Sequence, residues 1–392
     1  MYITEERYYI VNKNILKILG IWSEEESLLV LLQRILITII FILSIGTQLA
    51  VFITSRYNMT LFIKIMSITF PVLLISLKYY TFIFKSETLK ILHYEIQEDF
   101  KILRDKLEEE IIQKHAHAAQ LYMNIILLLF GSIMIGIMIL QLFPIILDII
   151  LPLDEPRPCK PILMLEYFVP QDEYLYTIIL HEFIMVLLFG SVLLATATQL
   201  LILIYHSFGM FKIASHRIKY SIEESVLYTT NLEKESAICN RIMHAVIAHR
   251  RAVGFADAII TSFNVPYCII CVVGVLSLSI NLFRFVQDLM SKDMGSTILS
   301  FIATLGHLLY MFAANYIGQI VSDSNRELFT LLYNTSWYLM PVPSQKLILF
   351  LMQKIGKDYY FTLGYIFVAK VESFATLINT ALSYVAVMYS IQ

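Results

Sequence analysis

Seven stretches of this chain are apolar over about 20 residues or more, the length a helix needs to cross the hydrocarbon core of a bilayer. They lie near Leu31–Ile53, Leu61–Phe84, Leu121–Leu147, Phe183–Phe208, Ala258–Phe283, Thr297–Ile320 and Tyr365–Tyr389. In hydrocarbon every backbone N–H and C=O must be satisfied inside its own element, so these stretches are read as helices. Composition agrees: 58% of the 392 residues are hydrophobic and 15% charged, against about a half and a quarter in soluble domains. The expected fold is an all-α membrane protein with seven transmembrane helices. The second stretch carries Lys64 and Lys78 near its ends, where long side chains are expected to snorkel. Its Pro71 is expected to kink it.

An odd number of spans puts the two termini on opposite sides, and Lys and Arg set the direction. One side collects Arg7, Lys13 and Lys17, then Lys85, Lys90, Lys101, Arg104, Lys106 and Lys114. It also collects Lys212, Arg217, Lys219, Lys234, Arg241, Arg250 and Arg251, and finally Arg326, Lys346, Lys354 and Lys357. The other side holds Arg56, Arg157, Lys160, Arg284 and Lys292. The excess of about four to one predicts a cytoplasmic N-terminus and an extracellular C-terminus. The polar opening, MYITEERYYIVNKN, carries no cleavable signal pattern. Asn58-Met59-Thr60 is a glycosylation sequon on the expected outer side, whereas Asn334-Thr335-Ser336 falls inside.

The cytoplasmic connections carry helical patterning. Leu89, Leu92, Ile96, Phe100, Leu103 and Leu107 recur at helical spacing among Lys and Glu. This predicts an amphipathic helix that extends the second span or leads into the third. Ile218, Ile222, Val226, Leu232, Ile238, Ile242 and Val246 suggest further helix. The stretch 326–355 is apolar but broken by Pro341 and Pro343, and is read as helices packed on others. Together these segments predict a helical cytoplasmic layer where subunits can associate. The outer loop 148–172 is proline-rich and acidic, and suits either a lid over an opening or an irregular connection. The expected organisation is a six-span bundle over 1–320, anchor helices over 321–358 and a terminal helical segment over 359–392.

Ser373, Thr376, Thr380, Ser383, Val387 and Ser390 recur in steps of three and four, which keeps them on one face of the last helix. An apolar helix with one narrow hydroxyl stripe either packs that stripe on a neighbour or lines water with it. Lys370 and Glu372 near its inner end fit an aqueous vestibule, a contact between subunits or ordinary interfacial anchoring.

Other chemistry has little support. Cys268 and Cys271 form a CxxC inside an apolar run and read as packing residues. His115 with His117, and His244 with His249, match no metal motif. No phosphate loop or nucleophile elbow appears, and basic residues are interleaved with acids, which argues against nucleic-acid binding. The chain is read as a non-enzyme that needs no cofactor or metal.

The C-terminal third carries Tyr333-Asn334-x-x-Trp337-Tyr338, Gln345-Lys346-Leu347 and Gly364-x-x-Phe367. These are followed by Val371-Glu372-Ser373-Phe374 and Asn379-Thr380-x-x-Ser383-Tyr384. This set resembles the last two segments of insect odorant receptors, and the inverted seven-span layout agrees over the full chain. Val385 stands where that family has an aromatic residue, and Asn379 where it has a basic one. The resemblance implies an odorant-gated, non-selective cation channel in the plasma membrane of sensory neuron dendrites. It implies a tetramer around a pore lined by the last helix, with odorant co-receptor subunits as partners. The connection 209–257 lacks the co-receptor's large insertion, so the resemblance is to a tuned receptor.

On that reading Val387 is the outer constriction, a ring of apolar side chains that closes a pore by dewetting. The hydroxyls of Thr376, Thr380, Ser383 and Ser390 would hydrate a passing ion; the competing reading makes them interhelical contacts. A small apolar odorant would bind in the outer half of the bundle. The candidates are Thr69, Phe70 and Leu73 on span two, Gly136, Leu140 and Gln141 on span three, and His181, Met185 and Phe189 on span four. Ser279 and Phe283 on span five and Phe301 on span six complete them. Any of these can equally be plain helix packing. His181 and Glu182 at the edge of span four suit ligand recognition or an interfacial position. The alternative class is a seven-span G-protein-coupled receptor, which requires an external N-terminus. No Asp-Arg-Tyr follows span three and no Asn-Pro lies in span seven.

Overall fold

The computed structural model describes the chain except residues 1–2, 24–26, 104, 152–156, 158–160, 172, 228–231, 292–293, 357–358, 365 and 392. Arg104, Cys159, Lys160, Lys292, Lys357 and Tyr365 therefore lie outside the described residues, as do the side chains of Arg7, Ile222, Val226, Leu232 and Lys234.

The protein is nearly all helical. In chain order it runs α1 (Ile3–Ile18), α2 (Leu28–Thr54), α3 (Met59–Phe84), α4 (Ser86–Lys101) and α5 (Lys106–Ile150). Then come α6 (Leu175–Leu227), α7 (Leu232–Ser291), α8 (Met294–Asn334), a short 3-10 turn, α9 (Val342–Ile355) and α10 (Val371–Ile391). Seven of these helices (α2, α3, α5, α6, α7, α8 and α10) are long and apolar enough to cross a membrane. Local chemistry sets the starts. Ser27, Asn58 and Asp105 each accept a backbone N–H three residues on, which satisfies one of the free donors of α2, α3 and α5.

Helices α5, α6 and α7 have 45, 53 and 60 residues. At 1.5 Å per residue they measure roughly 65, 80 and 90 Å, two to three times the roughly 30 Å hydrocarbon core. Their excess length projects from one end of the bundle, called the lower end here. There Ile218, Ile242, Ala245, Leu328, Leu332, Ile348 and Leu351 form a second hydrophobic core from α6, α7, α8 and α9. Each fully buried Leu or Ile contributes about 1.5–3 kcal/mol where the surroundings are aqueous. Ion pairs pin the same region. Arg217 grips Glu108 with Nε and Nη2 at 2.6 and 2.7 Å, and Asp99 meets His206 at 2.8 Å and also Arg251.

The segment after span two forms α4, a separate amphipathic helix with Leu89, Leu92 and Ile96 buried. It stops at Lys101, and Leu107 is exposed at the start of α5, so the periodicity read through 89–107 is interrupted. Asp105 is the cause, because it caps a new helix.

Two expectations are corrected. Lys78 does not snorkel: it is 2% exposed, with its ammonium 3.3 Å from the centre of the Tyr310 ring. It lies six residues from the end of α3, but its side chain turns inward onto Tyr310 of α8 and does not reach for that end. The last span begins at Val371, six residues later than the apolar pattern suggested. Before it, Thr362–Leu363 (β1) pairs antiparallel with Phe367–Val368 (β2), so among the described residues this hairpin is the departure from an all-α fold. Gly364 there has φ +64° and takes hydrogen bonds to both the backbone and side-chain oxygens of Asn264.

Candidate ligand cavity and channel helix

A cavity of about 410 Å³ opens in the upper half of the bundle, away from the long extensions. Ser67 and Ile68 of α3, Met134, Ile137, Met138 and Gln141 of α5, and Phe183 and Val186 of α6 supply much of its wall. Leu299, Ser300 and Ala303 of α8 close another side, and Ile162 and Leu163 of the α5–α6 connection face in from above. The volume lies within the range of small-molecule sites, and the lining is mostly apolar. Helix α5 makes the outer wall. None of the residues in its most apolar stretch is buried: one face meets the cavity and the rest is turned away from the bundle.

Four charged or strongly polar groups interrupt this lining: Gln141, Glu182, Asn281 and Arg284. Glu182, only 3% exposed, accepts from Gln141 Nε2 at 2.9 Å, Leu163 N at 2.8 Å and Ile162 N at 3.3 Å. It thereby ties the connection down over α6. Arg284 Nη1 donates to Ser67 Oγ at 2.7 Å, and its Nε stands 3.3 Å from Asp288 Oδ2. Asn281 Nδ2 donates to the Ser67 and Ser277 carbonyls. The connection is anchored beyond the cavity too: Glu166 N donates to the Thr47 carbonyl, and Thr54 Oγ1 donates to the Glu166 carboxylate.

Of the twelve residues proposed from sequence for the pocket, Gln141 lines this cavity. The others sit on the same helices at neighbouring positions. Thr69 bonds Gln48 on α2, Phe70 is half-buried and Leu73 is exposed. Gly136 and Leu140 face outward from α5. His181 pairs with the Tyr167 hydroxyl at 2.6 Å. Met185 accepts from Ser44 Oγ, and Phe189 stacks on Phe41 with ring centres 5.0 Å apart, both within the main core. Ser279 bonds its own helix, and Phe301 packs against Phe285. One residue along a helix is a turn of about 100°, so an error of one or two positions moves a side chain from cavity to core. Glu182, Arg284 and Asn281 carried a signal in sequence, as polar groups at the edges of apolar spans.

Helix α10 is two-sided. Leu377, Ala381 and Val385 are buried against α7, α8 and α3, while Thr376, Thr380, Ser383, Val387 and Ser390 are exposed on the other side. Val387 is 52% exposed. The four hydroxyls donate to carbonyls three or four residues back in their own helix, at 2.8–3.2 Å. Their donors are thus satisfied without a neighbouring helix, and their oxygens still point outward. Ser373 is half-buried at the start of the stripe. Lys370 lies over the Tyr360 ring at 3.7 Å, and Glu372 is exposed.

The cavity and α10 share a wall in α7. Asn281 and Arg284 face the cavity, whereas Phe283 between them is fully buried with Ile63 and Val385. At its other end α10 is held by the hairpin. Gly364 sits on Cys268 of α7 and Gly318 of α8 sits on Ala369, both too close for a side chain, and Val371 N donates to Gln319 Oε1.

Comparison with known proteins agrees with this architecture. The closely similar folds include the insect olfactory receptor OR5 from Machilis hrabei in complex with eugenol, with TM-score 0.77 and 11% identity over the whole of both chains. A second structure of that receptor from Machilis hrabei matches with TM-score 0.69 and 10% identity, again over both chains in full. No curated protein sequence matches the chain. The family model described as 7tm Odorant receptor matches residues 58–382, most of the chain. From Asn58 in the cap of α3 to Leu382 in the middle of α10, therefore, the chain belongs to the odorant receptor family.

Proposed function

We propose that this chain is a subunit of an odorant-gated, non-selective cation channel that binds a small, mainly apolar volatile in the upper cavity. The observation that carries the reading is the two-sidedness of α10. Its apolar edge is committed to its own bundle, and its hydroxyl edge is left outward with every donor already satisfied. Such a face suits water at a shared axis. Val387 is the constriction of that axis, and Thr376, Thr380, Ser383 and Ser390 hydrate the ion. Gln141, with the cavity walls on α3, α5, α6, α7 and α8, receives the ligand; Thr69, Phe70, Leu73, Gly136, Leu140, His181, Met185, Phe189, Ser279, Phe283 and Phe301 support those walls from behind.

The lower end is cytoplasmic and the end of α10 external, by the excess of Lys and Arg at the lower end. Asn58 is then an external glycosylation site. Residues 1–320 form the ligand bundle, 321–358 the anchor through which subunits associate, and 359–392 the pore segment. The partners are odorant co-receptor subunits in a tetramer, and the site of action is the plasma membrane of sensory neuron dendrites. A G-protein-coupled receptor requires an external N-terminus, which this charge distribution opposes, and the family match does not favour that class.

The test is whole-cell recording against a panel of volatiles, with and without a co-receptor subunit. Cysteines substituted at 376, 380, 383 and 387 are probed in the same cells with an external thiol reagent. Odorant-evoked cation current that the reagent blocks supports the reading. Cysteines that stay unreactive with agonist present overturn the pore assignment. Terminal epitope tags in intact cells check the orientation.

A further inference from the structure

Among the described residues around the cavity, one carboxylate is left without a counter-charge, and an ordinary apolar odorant leaves it so. Arg284 is offset by Asp288 at 3.3 Å. Glu182 has only neutral donors, namely the Gln141 amide and two backbone N–H groups, and among the described residues no cation pairs with it. A carboxylate has about four lone-pair sites. Three are used, two on Oε2 and one on Oε1, which leaves capacity on Oε1. Removing a charge from water without a counter-charge is costly, and a partner that supplies one recovers much of that cost.

Resting on the channel reading above, we propose that the preferred ligand of this cavity is a small apolar amine whose protonated nitrogen pairs with Glu182. Its hydrocarbon body lies against Met134, Met138, Phe183 and Val186. An aliphatic ammonium is fully protonated at neutral pH, by analogy with Lys at about 10.4. It can donate to the open site on Oε1 while the Gln141 and backbone bonds stay in place. A carboxylic acid of the same length meets the reverse situation. It would bring a second negative charge beside Glu182, and the Arg284 guanidinium is already shared with Asp288 and Ser67.

The experiment compares hexylamine, 1-hexanol and hexanoate on the full-length wild-type chain and on Glu182→Gln and Glu182→Asp. Two readouts are taken: evoked current in cells and ligand-induced thermal stabilisation of purified protein. In wild type, hexylamine is expected to be at least about tenfold more potent than hexanol or hexanoate, a difference of about 1.4 kcal/mol. Glu182→Gln should erase that preference, leaving hexylamine no more potent than hexanol on this variant. Glu182→Asp, which keeps the charge, should retain it even if the glutamine variant fails to fold. Equal or greater potency of hexanoate in wild type overturns the proposal, as does an amine preference that survives in Glu182→Gln. If hexanol gates current and hexylamine is no better, this inference fails and the channel reading stands. If hexylamine stabilises the purified protein but no volatile evokes current, the channel reading fails and the assignment of Glu182 stands.

Discussion

The rings of Phe283 on α7 and Tyr389 on α10 lie 4.6 Å apart, centre to centre, inclined at 54°. Phe283 is fully buried, and Asn281, two residues before it, and Arg284, the residue after it, face the cavity. A ligand that rotates or displaces this turn of α7 therefore pushes on α10 next to Val387. A ligand moves the equilibrium only as far as it prefers one arrangement, so loss of this contact should separate binding from opening. Phe283→Leu keeps an apolar side chain in the core. It is expected to leave ligand-induced stabilisation within about twofold of wild type and to cut evoked current by about tenfold or more. Current and binding that fall together would place Phe283 in the binding site instead.

Val387 is half exposed on the outward face of α10, with hydroxyl-bearing residues on either side of it along the stripe. Four copies at a shared axis would form the narrowest apolar ring. Val387→Trp is expected to lower conductance by about tenfold or more while subunit assembly, read by size-exclusion chromatography, is unchanged. Conductance equal to wild type would rule out this position as the constriction.

The hairpin fixes where α10 begins. Gly364 combines a left-handed φ of +64° with direct contact on Cys268. Gly364→Ala adds about 1 kcal/mol of backbone strain and a clash with the thiol. Surface expression should drop. The double change Gly364→Ala with Cys268→Ala removes the sulfur contact but neither the Cβ contact nor the strain, and should recover part of the loss. Such non-additivity between touching residues is the signature of a direct contact. A double variant no better than Gly364→Ala would argue that the sulfur contact is not responsible.

His93 on α4 makes acid stability testable. Burial, aided by the nearby charge of Lys13 and by His206, pushes its pKa down to about 4; the hydrogen bond with Gln199 at 2.7 Å opposes this. In an unfolded chain histidine takes its proton near 6.5. The folded state therefore binds fewer protons between those values. The contribution is complete above about pH 6.5, is lost as pH falls towards 4, and amounts to on the order of 3 kcal/mol. Thermal unfolding of the purified protein between pH 7.5 and 4.5 should show the decline. His93→Gln, which cannot titrate, should flatten it, and an unchanged slope would assign the decline to other groups.

What the sequence determined by itself was the membrane: seven helices, their approximate limits and the patterned helices at the lower end. Those follow from one-dimensional quantities, the length of apolar runs and the period of buried positions, which a lipid environment makes nearly decisive. The stripe on α10 was legible for the same reason, because three- and four-residue steps define a helix face whatever surrounds it. The facing of the other helices was not legible. Met185 and Phe189 look like pocket residues and are core; Glu182, Arg284 and Asn281 look like edge residues and line the cavity. Lys78 looks like an anchor and is enclosed beside Tyr310. Lipid and protein interior are equally apolar, so hydropathy cannot tell which side of a span turns inward. Only the packing of α3 and α8 against α7, and the seating of Ile162 and Leu163 over Glu182, decide which groups share a cavity.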